Sequence, residues 1–135
     1  MADISITASG VVPTASTEYV DNNGIAGAVI AAGEMVYKDS NNVYQLADAN
    51  VLASLSVAGM AMNSALAIGQ PLTVAKGLIT IGSGFTPGMQ VNLSANAGKL
   101  APVADVGGNY VVACGCIYSA TQVIIAIKNY AVLHA

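Results

Sequence analysis

The sequence predicts a mainly β protein, folded as a compact antiparallel β-sandwich or barrel with an extended N-terminal arm and at most one short helix. Three observations support this class. Short apolar runs alternate with clusters of Gly, Pro, Asn, Asp and Ser along most of the 135 residues, as is typical of hairpins. Hydrophobic residues make up 55% of the chain and charged residues 8%, the reverse of a disordered composition. Two stretches also resemble each other at an offset of about 55 residues.

The first segment, residues 1–23, differs from the rest and is interpreted as an extended arm before a single β-rich domain of residues 24–135. Ile4 and Ile6 alternate with polar residues, and Pro13 with several Ser and Thr residues then interrupts any regular element. Two interpretations are open. The arm orders against a partner protein, or it forms a first strand that completes the domain's own sheet.

The first hairpin is predicted at residues 34–38 and 43–46, which flank the turn-forming residues 39–42. A four-residue loop places one apolar set on one face of the pair, as a half-buried antiparallel pair requires. In this register Tyr37 lies opposite Tyr44, and Met35 lies opposite Leu46.

A short helix is predicted within residues 48–61, where Asp48 is a suitable N-cap and apolar residues share one helical face. Residues 68–72 and 82–88 are rich in Gly and Pro and are interpreted as connections.

Two further hairpins follow in the second part of the chain. One pairs residues 89–93 with 99–103, and the other pairs 110–118 with 122–128. The last pair is apolar on both faces, which is typical of a core or an oligomer interface. Together with the offset of about 55 residues, these hairpins indicate two similar halves, residues 33–76 and 88–128.

The surface is short of charge, since the chain has four lysines, no arginine and seven acidic residues. A monomer of this mass exposes roughly 6,500 Å², which leaves one charged residue per about 600 Å² of surface. That area is the size of the largest uncharged patch on a typical monomer. We therefore expect another protein to cover part of this surface. A net charge of -3 opposes nucleic-acid binding, which depends on clustered basic residues.

Membrane insertion competes with this interpretation, because residues 49–75 and 106–127 are uncharged and long enough to span a bilayer as helices. Both segments are interrupted by Gly, Asn, Ser and Gln, which favours strands and turns. The N-terminus carries Asp3 and no basic residue, unlike a signal peptide. The sequence therefore predicts a cytosolic product with no membrane partner.

No catalytic, cofactor or metal site is predicted. His134, the one histidine, is the penultimate residue, and general acid-base or nucleophilic catalysis would have to use it. Cys114 and Cys116 lie two residues apart in an apolar run and are interpreted as buried apolar side chains. Asp39 with the asparagines after it is interpreted as a turn, since a calcium loop needs more ligands. We expect no enzyme activity and no cofactor.

Tyrosines are the residues that best suit an interface, since each is a rigid apolar body with one polar tip. The four predicted to lie on an oligomer or core face are Tyr37, Tyr44, Tyr110 and Tyr118.

Several segments resemble the small head-decoration proteins of tailed bacteriophages, and together they reach from residue 2 to about residue 128. They are residues 2–8, 32–39, 44–49, 58–61, 68–74 and 98–102. The resemblance implies a β-tulip-like capsid cement protein. Such a protein is made in the host cytoplasm, forms a homotrimer and binds the major capsid protein on the outer face of the head. The coat contacts expected by this analogy are Ala2, Asp3, Ile4, Ile6, Val11 and Val12.

Two other functions stay open. A head spike or fibre-base protein would share the virion location but would add a distal domain. A small cytosolic β-barrel binding module would need an aromatic-lined cavity, for which one phenylalanine and no tryptophan provide little material.

Overall fold

The computed structural model describes residues 3–49, 56–94, 96–102 and 110–133, and in the last range it describes the side chains of residues 112–128. Over these residues the chain forms one antiparallel sheet of nine strands, curled into a half-barrel. The helical structure in the same residues is a single 3-10 turn at Ala8–Gly10. The predicted mainly β fold class is confirmed.

The strands follow the chain in order and vary greatly in length. They are β1 (Val12–Ile25), β2 (Met35–Lys38), β3 (Tyr44–Leu46), β4 (Val57–Ala61), β5 (Pro71–Thr80), β6 (Gln90–Leu93), β7 (Leu100–Pro102), β8 (Tyr110–Ser119) and β9 (Gln122–Leu133).

The spatial order of the strands is β3-β2-β4-β5-β9-β8-β6-β7, with β1 paired to β5 beside this path. The first half therefore runs β3-β2-β4-β5 and the second half repeats the same connections as β7-β6-β8-β9. The two halves meet where β5 pairs with β9. Each half is a hairpin, a third strand beside the first strand of that hairpin, and a fourth strand beside the third.

Equivalent pairings occur at equivalent residues in the two halves. Val36 pairs with Gly59 in the first half, and Val91 pairs with Gly115 in the second, with a register shift directly after each valine. Since the same backbone irregularity recurs, the halves share local geometry as well as strand order.

The same pair of hydrogen bonds occurs just before β2 in the first half and just before β6 in the second. The Gly33 N–H donates to the Ala61 carbonyl, and the Ala61 N–H donates to the Glu34 carbonyl, both at 2.8 Å. In the second half Gly88, Ile117 and Met89 make the same two bonds at the same distance. Gly33 and Gly88 both have positive φ, a conformation that glycine adopts without steric cost.

The predicted register of the first hairpin is wrong by one residue. Lys38 pairs with Tyr44, and the Asp39 N–H donates to the Val43 carbonyl at 2.9 Å. The loop is therefore three residues long and closes through Asn42, which has a φ of 62°, a left-handed conformation that asparagine tolerates. A slip of one residue reverses faces, so Tyr37 packs with Met35 in one core and Tyr44 lies in the other.

The other two predicted hairpins form, with the turn of the last one a residue shorter than the predicted residues 119–121, and the predicted helix does not form in its described part. β6 pairs with β7 and β8 pairs with β9, with Ser119 opposite Gln122 across a two-residue turn. Residues 50–55 of the predicted helix lie outside the described residues, and Val57–Ala61 is strand β4. Pairing of β4 with both β2 and β5 overrides a weak helical pattern, because propensity yields to tertiary contacts.

Buried side chains form two cores on opposite faces of the first half. Met35 and Met60 belong to the larger core, which continues into the second half through Leu93 and Ile125. Val36 belongs to the smaller core, whose other members include Ile30, Tyr44, Leu72 and Val74. Neighbours along one strand alternate between cores, as the strand period of two requires.

Residues 3–25 run along the domain. The Ile4 N–H donates to the Leu100 carbonyl at 2.8 Å, and Ile4 and Ile6 pack against the larger core. From Val12 the chain pairs with β5 as far as Ile25. The predicted boundary between residues 23 and 24 therefore falls inside β1.

Candidate interaction surface

Two backbone segments that pair with each other at Ile30 and Ala65 carry exposed apolar side chains. We call these side chains the apolar tip and define it as Val29, Leu66 and Ile68. Leu66 is 77% exposed, Ile68 is 74% exposed and Val29 is 62% exposed. Single exposed apolar residues are ordinary, whereas a contiguous group marks an interaction site. The apolar tip is therefore the first candidate surface.

Two neighbouring segments of backbone position the apolar tip. Ile30 and Ala65 exchange both backbone hydrogen bonds, at 3.0 and 2.7 Å, and both of their side chains are buried. In an antiparallel pair the next residues on each segment are also opposite one another and face the other way. Val29 and Leu66 are those residues, so they lie side by side and face solvent.

Polar side chains hold the base of the loop between β4 and β5. Asn63, at the start of the loop, bonds to two residues at its end. Its Nδ2 donates to the Pro71 carbonyl at 3.0 Å, and its Oδ1 accepts the Thr73 N–H at 2.7 Å. The Gln70 Oε1 accepts the Leu66 N–H at 2.6 Å. These bonds order the loop while residues 66–71 all stay exposed, so the loop protrudes from the domain.

The apolar tip carries no charge and lies in a long uncharged part of the chain. Residues 22–33 and 49–75 contain no Asp, Glu, Lys or Arg. A surface of this kind gains binding free energy from burying apolar area and gains nothing from ion pairs.

β1 is a second candidate surface, because among the described residues it pairs with β5 alone. An open edge of this length invites pairing with another strand. Three register shifts against β5 interrupt β1, and at the first of them the Thr14 and Thr17 hydroxyls both donate to the Leu78 carbonyl. Bulges blunt an edge against strand addition, so we assign the interaction surface to the apolar tip.

A small polar cluster joins β1 to the first hairpin. The Tyr44 hydroxyl donates to Asp21 Oδ2 at 3.0 Å, and Lys38 Nζ lies 3.8 Å from the same oxygen. The Asn23 N–H, which donates to Asp21, lowers the pKa of that carboxyl most, and Tyr44 and Lys38 lower it further. Burial and the hydrogen bond to Asp21 raise the pKa of Tyr44 to about 12. The cluster links β1 to the first hairpin. Tyr44 is neutral in it near pH 7.

The structure places most of the predicted coat-contact residues against the domain itself. Asp3 accepts hydrogen bonds from Ser94 Oγ at 2.6 Å and from Asn96 Nδ2 at 2.7 Å. Ile4 and Ile6 pack on the core, Val11 is buried, Val12 is exposed, and Ala2 lies outside the described residues.

The four predicted tyrosines are not brought together. Tyr37 packs against the larger core, Tyr44 is buried in the smaller one, and Tyr118 is exposed at the end of β8. The Tyr110 side chain lies outside the described residues. Sequence reasoning missed the apolar tip; its available signal was the apolar run Leu66 to Ile68 directly before the turn at Gly69.

Cavities offer little to a small molecule. A cavity of about 40 Å³ lies beneath the N-terminal segment between Ile6 and Leu100, large enough for a water molecule or two. An open groove of about 380 Å³ lies beside the first hairpin and contains Tyr37, Lys38 and Asp39. Its carboxylate is already engaged, because Asp39 accepts bonds from the Asn41 N–H and the Gln45 amide.

Metal-binding side chains do not cluster in the described part of the chain. No group of three or more His, Cys, Asp or Glu residues there could hold a metal ion. Cys114 and Cys116 are free thiols, and burial raises the pKa of Cys114 to about 12. That thiol is protonated near neutral pH, and the thiolate is the nucleophilic form.

Known proteins provide no template for interpreting this surface. Comparison with protein-family models, curated proteins and solved structures finds no match for this chain. Within the ranges that the structure describes, no helix has the length and apolar character needed to cross a membrane.

Proposed function

We propose that this protein is a capsid decoration protein that binds the outside of an assembled phage head, bridges coat subunits and stabilises the shell. The supporting observation is its surface: 6305 Å² of accessible area with only four lysines and seven acidic residues. Exposed large apolar side chains accompany this shortage of charge. They are Val12, Tyr19, Val20, Ile25, Val29, Leu66, Ile68 and Tyr118.

The physical argument is linkage. A protein that binds the assembled shell and not its free subunits adds its binding free energy to the stability of the shell. The proposal includes a homotrimer, because three linked contacts supply avidity that a single weak contact lacks. It also includes the N-terminal coat contacts expected from the resemblance, of which Val12 is the most exposed among the described residues.

The experiment uses heads of the phage that encodes this chain, prepared from a strain in which its gene is deleted. Purified protein is added back, and binding is followed by co-sedimentation, with unassembled coat subunits as the control. We expect saturable binding to heads, none to subunits, and a higher temperature of DNA release from decorated heads. Absence of co-sedimentation with heads would overturn the proposal.

A further inference from the structure

The two halves differ most in the connection between their third and fourth strands. Ala61 pairs with Val74 in the first half, and residues 62–73 lie between them. The equivalent pair in the second half is Ile117 with Val123, and only residues 118–122 lie between them. The second half thus closes the same strand pair with a tight turn. In the first half the longer connection contributes Ala65 to the smaller core, and the residues after Ala65 extend beyond what closing the strand pair requires.

The additional residues carry apolar side chains into solvent. Leu66 and Ile68 are the two most exposed large apolar residues of the described chain, and both lie in this longer connection. Burying such a side chain is favourable because it removes apolar area from water, and the monomer forgoes this gain at both positions. A protruding loop that is ordered by Asn63 and Gln70, and that leaves these side chains outside both cores, is suited to burying them in a partner.

The shape and charge of the apolar tip select the kind of partner. Residues 66–71 are all exposed, and a Cβ added at Gly69 would meet no atom within 4 Å, so the surface is convex. Two convex tips from two copies of the chain would touch only at their apexes. Such an apex contact buries far less than the roughly 800 Å² per partner of a stable pair. A concave partner surface can enclose all three apolar side chains.

We propose that the apolar tip inserts Leu66 and Ile68 into an uncharged, apolar recess on the outer surface of the coat protein. This inference rests on the proposed function and adds the apolar tip to the contacts proposed for the N-terminal segment. A recess formed between coat subunits would exist only in the assembled shell, which is the selectivity that a cement protein needs.

The test compares three forms of the full chain for co-sedimentation with undecorated heads. Leu66→Gln/Ile68→Gln keeps side-chain size and removes apolar character at the apolar tip. Ala120→Gln is the control, because Ala120 is exposed and lies in the equivalent turn of the second half. We expect the double variant to bind heads at least about tenfold more weakly and the control to stay within about twofold of the unmodified chain.

The outcomes separate the two proposals. If the unmodified chain does not bind heads, the proposed function and this inference both fail. If the unmodified chain and the double variant bind equally, the inference fails and the proposed function stands. If circular dichroism shows the double variant unfolded, hydrogen exchange of the unmodified chain decides. Slower exchange at residues 64–70 on head binding supports the inference, and unchanged exchange there overturns it.

Discussion

At the scale of single residues, Gly115 shows how closely two strands approach. A Cβ at Gly115 would overlap the Ile124 carbonyl oxygen of β9, and one at the equivalent Gly59 would lie 2.5 Å from the Ala75 carbonyl oxygen of β5. Each half therefore uses a glycine where its third strand crosses closest to its fourth.

Gly115→Ala is expected to lower the free energy of unfolding by at least about 2 kcal/mol, because β8 and β9 must separate to admit the methyl group. Gly69→Ala is the matched control: its φ of 92° is also positive, but its Cβ would meet open space, so only the backbone strain of about 1 kcal/mol applies. Urea denaturation measures both. Equal losses would contradict the close approach of the strands.

Tyr44 provides a prediction about alkaline pH. Its pKa of about 12 in the folded protein exceeds the ordinary value of 10.0, so its contribution to stability is complete below about pH 10 and is lost as the pH rises toward 12. The Tyr44→Phe variant is expected to lose about 1 kcal/mol at neutral pH, the value of one hydrogen bond, and to lack the phenol ionisation near pH 12. Absorbance at 295 nm during titration checks this. If the variant instead lacks a phenol ionisation near pH 10, Tyr44 is not held neutral.

At the scale of elements, the N-terminal segment is expected to stabilise the domain. Deleting residues 2–6 removes Ile4 and Ile6 from the core and takes the acceptor Asp3 from Ser94. The expected loss is about 2–3 kcal/mol of unfolding free energy, measured by urea denaturation. Asp3→Asn is the control, since it keeps one acceptor oxygen and both isoleucines, and it is expected to lose less. An unchanged midpoint after the deletion would mean that the segment contributes no stability.

Hairpins are the elements that the sequence predicted best. Turn residues between apolar runs predicted all three, because these signals are local. Register depended on the left-handed conformation of Asn42, which a sequence pattern allows but does not specify. The last residues of the predicted helix within 48–61 form strand β4 instead, because they pair with β2 and β5. The apolar run before Gly69 was the one available signal for the apolar tip, and it does not establish exposure of Leu66, which depends on how the whole chain packs.

At the scale of the whole molecule, the shortage of charge predicts binding that is insensitive to salt. Ion pairs between exposed groups weaken as the Debye length falls from about 10 Å at 0.1 M to about 3 Å at 1 M ionic strength, whereas burial of apolar area does not depend on them. Decoration of heads is expected to change less than about twofold over this range, measured by co-sedimentation. A loss of tenfold or more would identify charged contacts as the main source of affinity and would contradict an uncharged interface.

If this chain covers a phage head, as proposed, its copy number on the particle should match that of the coat. Particles of the encoding phage would be purified, and the ratio of this chain to the major capsid protein would be measured by quantitative mass spectrometry. We expect a ratio near one, because a cement protein binds throughout the lattice. A much smaller ratio would indicate a spike at special positions, and absence from the particle would contradict a virion role altogether.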